Sequence, residues 1–221
     1  MPVLVAGPVD VPNRLEQLGW NVDDLLEVVG SMVAARNGCT ENDPLSAPGW
    51  MAWKEGTRRM REVGRPKGLV KDDSDQVPSL LDAERNLRFL VSNTDDVTGI
   101  EHPYFQPQNR SKRGPATERA VAINNGSLFD YMDAPVVVPI SRVHRGAGGF
   151  ISWYLCVYHN GDEVRAELSC PVAVENGFFA DFRERIILIG PDGPAGGSIR
   201  RFGPDDNESG GPEFDIPVVR K

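Results

Sequence analysis

The feature that most constrains the fold is Asn160-Gly161, which separates two alternating apolar runs, Phe150–His159 and Asp162–Val172. An Asn-Gly pair between such runs is a strong hairpin signal, because tight two-residue turns need positive φ and these residues tolerate it. Pairing His159 with Asp162 sets Val157 opposite Val164, Leu155 opposite Ala166, Trp153 opposite Leu168 and Ile151 opposite Cys170. All of these are apolar and share one face. The other face carries Tyr158 with Glu163, Cys156 with Arg165 and Tyr154 with Glu167. A slip of one residue exchanges the faces, so the segregation fixes which side meets the core. The expectation is a hairpin with one buried face and one polar, tyrosine-rich face.

Other strands are predicted at 87–93 (Leu87, Phe89 and Val91 on one face), 136–140, 183–189 and 214–219, where Pro217 restricts the last to an edge. Residues 1–13, broken by Pro2, Pro8 and Pro12, read as an edge strand or an arm. Asn21 reads as an N-cap with Asp24 three residues on, and Val22, Leu25, Leu26, Val29, Met32 and Val33 form one stripe, predicting a helix over 22–37. A second helix is expected from Pro48 to about Val63, with Trp50, Trp53 and Met60 facing the core, and a third over 115–130. Lys71–Asp75 reads as a solvated loop, and 190–212, with seven Gly and four Pro, as a long loop. The predicted class is α+β: a helical N-terminal part, 1–75, packed with a mainly antiparallel sheet in 76–221, as two parts or as a single domain.

The chain has 221 residues and a net charge of −8, unevenly spread. Residues 1–107 carry 11 basic and 17 acidic side chains, 108–149 carry 6 and 3, and 150–221 carry 7 and 12. Only the middle segment is net positive, which argues against a general polyanion binder and for a local patch. No apolar run reaches membrane-spanning length, and the opening residues lack the charged and apolar regions of a secretory signal. Three scattered cysteines, Cys39, Cys156 and Cys170, read as reduced thiols, so a cytoplasmic location is expected.

Phosphate-loop, dinucleotide, nucleophile-elbow and zinc-protease signatures are absent. What remains is Gln108–Phe129, QNRSKRGPATERAVAINNGSLF, a basic loop leading through Gly114-Pro115 into a helix. Helix-start amides and the helix dipole favour an anion there. Asn109, Arg110, Ser111, Lys112, Arg113 and Thr117 supply donors, and Arg142, His144 and Arg145 lie in the same positive segment. The competing interpretation is that these cations pair with the chain's surplus carboxylates. Asp95 and Asp96 follow the 87–93 strand, a position suited to Mg²⁺ or Mn²⁺ but also to an ordinary turn.

The expected function is a cytoplasmic binding or accessory protein with an anion site at 109–119 for phosphate, a nucleotide or nucleic acid, needing no cofactor. One alternative is a metal-dependent nuclease or phosphodiesterase using Asp95 and Asp96 with Mg²⁺ or Mn²⁺. Another is a subunit of a protein complex with a protein partner and no ligand.

Overall fold

The computed structural model describes residues 1–125 and 149–194. The predicted strands at 136–140 and 214–219, the end of the 115–130 helix and most of the 190–212 loop lie outside them.

Apolar alternation along the chain produces one sheet, built in chain order from β1 (Val3–Val5), β2 (Val70–Asp72), β3 (Ser79–Asp82), β4 (Leu87–Asn93), β5 (Ile151–Asn160), β6 (Glu163–Glu175), β7 (Phe178–Gly190) and β8 (Gly193–Pro194). Their spatial order is β1-β7-β6-β5-β4-β3-β2, with β8 pairing β7. Among the described residues four α-helices accompany them: α1 (Asp10–Gln17), α2 (Val22–Asn37), α3 (Ala47–Gly64) and α4 (Pro115–Asn124). The class is α+β, and the sheet is mixed. The expectation of a mainly antiparallel sheet is corrected by two parallel pairings, β1 with β7 and β4 with β5. The second follows from chain geometry. The long connection 94–150 returns the chain to the start of its neighbour, which only a crossover can do.

Period two sorts the strands onto two covered faces. Phe89 and Val91 of β4 and Trp153, Leu155 and Val157 of β5 join Leu15, Leu25, Met32 and Met60 of α1–α3 in the main apolar cluster. Leu90, Tyr154 and Cys156 point the other way and meet Val121 of α4 with Phe179 and Phe182. The hairpin face expected to be polar is therefore buried: Tyr154 is 1% exposed, Tyr158 6% and Glu167 0%. No helix among the described residues is long and apolar enough to cross a membrane.

The hairpin register is corrected by two residues. Asn160 pairs with Glu163, Val157 with Ala166 and Leu155 with Leu168. A shift of two keeps every side chain on its predicted face, since the side-chain period is two. It moves Gly161 to the first corner of the turn, where its φ of +59° suits a Gly-X turn better than the Asn-Gly one assumed.

The N-cap of α2 forms as predicted, with Asn21 and Asp24 making a reciprocal capping box. In α3 the buried face is Ala52, Gly56, Met60 and Gly64, and the two glycines let Met32 and Leu80 approach the helix closely. Trp50 falls off this face and is 55% exposed, contrary to its predicted core role. Asp72, expected in a solvated loop, lies in β2 at 4% exposure, facing the Arg88 guanidinium at 3.5 Å.

On the α4 side, Glu167 and Arg185 form a bidentate pair, Nε–Oε1 2.8 Å and Nη2–Oε2 2.6 Å, both side chains fully buried. Gly99 N–H (2.8 Å) and Ser169 Oγ (2.6 Å) also donate to Glu167. The rest of the Arg185 fork donates to the carbonyls of Ile100, His102 and Phe105. Together they fasten the 95–107 loop over the sheet. Gly99 has φ +75°, and a Cβ there would lie 2.5 Å from the backbone oxygen of Ile189. Gly99→Ala is expected to destabilise the fold by about 2–4 kcal/mol, combining left-handed strain with a clash that no side-chain motion relieves. Chemical denaturation checks this.

Candidate functional site

Past Asn93 the chain stays extended and pairs with the start of the basic segment. Arg110 N–H donates to Asn93 O (3.0 Å), Thr94 bridges to Asn109, and Asp95 N–H donates to Gln108 O (3.0 Å). The predicted acidic and basic residues are thus brought side by side. Asp95 Oδ1 accepts from Val97 N–H (3.3 Å) and Gln108 N–H (3.1 Å), closing the loop as a turn carboxylate does. Burial pushes its pKa up, against the pull of those two amides. Asp96 is exposed. Among the described residues, no group of three or more His, Cys, Asp or Glu gathers that would hold a metal.

Among the described residues, the predicted anion residues point in different directions. Asn109 is 2% exposed and wholly engaged: its amide nitrogen donates to Ser111 O and Gly177 O, and its oxygen accepts from Phe179 N–H. It ties the loop to the β6–β7 turn. Arg113 turns under the sheet, donating to Ser92 Oγ (2.7 Å). With Arg88 it acts on the Tyr154 phenol, which burial pushes up to about 12. Thr117 is buried beside the same phenol. Ser111 and Lys112 are exposed. Arg142, His144 and Arg145 lie outside the described residues.

Arg110 sits at the end of the sheet, where it contacts Tyr158 and also lines a cavity with residues that the charge pattern did not group with it. Its Nε donates to Thr94 O (3.1 Å) and its guanidinium lies 5.4 Å from the Tyr158 ring centre. Arg110, Arg36 from the last turn of α2 and His159 from the end of β5 line one cavity of about 10 Å³, with Met32, Val33, Ala52 and Val157 as its apolar walls. The cavity sits at the carboxyl ends of the parallel strands β4 and β5, a position that open α/β sheets often use for ligands. Neither Arg36 nor Arg110 is paired with a carboxylate among the described residues. Burial, then the charge of Arg110, lowers the pKa of Arg36.

His159 is 9% exposed, and its Nδ1 is buried with no hydrogen-bond partner. Burial, then Arg36 and Arg110, push its pKa down, with Asp162 acting weakly the other way. The unfolded chain therefore binds a proton at His159 more readily than the fold does, and stability falls as pH drops below about 6.5. His159→Gln is expected to flatten that loss, read as the pH dependence of the urea midpoint between about pH 7 and 5.

A signal for both missed residues was present. His159 shares parity with Val157 and Leu155, so it is a polar residue on the apolar face of its strand. Arg36 follows Met32 and Val33 at helical spacing and extends the apolar stripe of α2. Comparison with protein-family models, curated proteins and solved structures returned no match.

Proposed function

We propose that this protein is a binding or accessory module for a small phosphate-bearing anion, held by Arg36, Arg110 and His159. One observation carries the reading: two arginines without carboxylate partners and a buried imidazole with an unpartnered nitrogen meet at one cavity. Gathering like charge is unfavourable in the free protein, and an anion relieves it. The site keeps Arg110 from the predicted 109–119 patch and adds two residues from distant parts of the chain. A reducing, cytoplasmic setting belongs to the same reading, supported by Cys39, Cys156 and Cys170 standing as free thiols.

Calorimetric titration with inorganic phosphate tests it. Binding is expected at low ionic strength and should weaken steadily with added chloride. Heats indistinguishable from buffer dilution would reject the function.

A further inference from the structure

We infer that the ligand group is a terminal phosphomonoester taken end-on, and not the backbone of a nucleic acid. This rests on the reading of the cluster as an anion site and narrows it to a ligand class.

A nucleic-acid backbone is followed by a run of unpaired cations along a surface. Among the described residues the cations around the cluster are mostly paired. On the neighbouring helix α3, Lys54 pairs with Glu55, Arg58 with Glu55 and Glu62, Arg59 with Glu62 and Glu27, and Arg61 with Asp73. On the hairpin, Arg165 lies 3.0 Å from Glu163. Arg113 is turned to the opposite face of the sheet by its bond to Ser92. On the same loop Lys112 is exposed, and one such charge does not make a track.

Size points the same way. A cavity of about 10 Å³ holds roughly one water-sized atom, so a single oxygen enters and the rest of the group stays at the mouth. The exposed Arg110 and half-buried Arg36 line the same cavity. A monoester offers three unsubstituted oxygens to the three donors, whereas a diester has two and carries half the charge. The aromatic ring beside Arg110 is not free for base stacking, because Tyr158 already carries Arg110 at 5.4 Å and Arg165 at 4.6 Å.

Calorimetry on the full chain with glycerol 2-phosphate, dimethyl phosphate and a 5′-hydroxyl oligothymidylate separates the possibilities. Glycerol phosphate is expected to bind at least about tenfold more tightly than dimethyl phosphate, the difference of one charge-assisted hydrogen bond, and Arg36→Gln should erase that preference. The oligonucleotide should not displace glycerol phosphate. Equal affinity for the diester, or displacement by the oligonucleotide, would overturn the ligand class and leave the anion site standing. If all three probes fail to bind, the anion site falls with it.

Discussion

Arg185→Ala is expected to destabilise the fold by about 3–5 kcal/mol, because it leaves the Glu167 carboxylate buried and unpaired. Five hydrogen bonds from this guanidinium vanish with it, two to Glu167 and three to the carbonyls of residues 100, 102 and 105. The 95–107 loop loses its anchor to the sheet at the same time. Replacing the pair together, Glu167→Met with Arg185→Leu, should recover much of the loss, since an apolar pair carries no desolvation penalty. Equilibrium urea unfolding measures both. A single-variant loss under about 1 kcal/mol would mean that water reaches the pair and that its apparent burial contributes little.

The largest expected effect on function comes from Arg36→Ala with Arg110→Ala. Each guanidinium offers charge-assisted hydrogen bonds worth about 1.5–3 kcal/mol, so losing both should weaken phosphate binding by roughly a hundredfold or more. Stability should respond in the opposite direction. Arg110 depresses the pKa of Arg36, so the two charges oppose each other in the free protein. Arg36→Gln, which keeps most of the side-chain packing, should therefore leave the urea midpoint unchanged or raise it while lowering affinity. A variant that lost stability and affinity together would point to a packing role for Arg36.

Much of the scaffold was legible because local rules agree there. The α2 capping box and stripe, the faces of β4 and the segregation of the 150–172 hairpin all follow from periodicity over a few residues. The register error of two arose because alternation cannot distinguish shifts by an even number. Only the backbone demand of Gly161 at the first turn corner separates them. The parallel pairing of β4 and β5 was hidden because it depends on where a long connection returns, a distance that no local pattern records. The second face of the hairpin looked solvent-facing because Tyr154, Tyr158 and Glu167 are polar. It is covered by a loop held through Arg185, a residue within what read as a plain strand.

The site was half legible for the same reason. Charge counting located Arg110, but charge counting has no direction, so it could not show that Asn109 and Arg113 turn inward to hold the loop. Arg36 and His159 reach Arg110 from 74 positions before it and 49 after it in sequence. Their meeting is a consequence of α2 ending over the end of β5. What the sequence did contain was the anomaly of each, a charged or titratable residue continuing an apolar face.

The most direct measurement is the imidazole titration of His159 by NMR, with and without inorganic phosphate. Without phosphate the titration should fall below the ordinary value of about 6.5, as burial and the two arginines require. With phosphate bound between Arg36 and Arg110 it should move up, because the anion offsets those charges and favours the imidazolium. A His159 titration identical in the two conditions would contradict an anion site at this cluster.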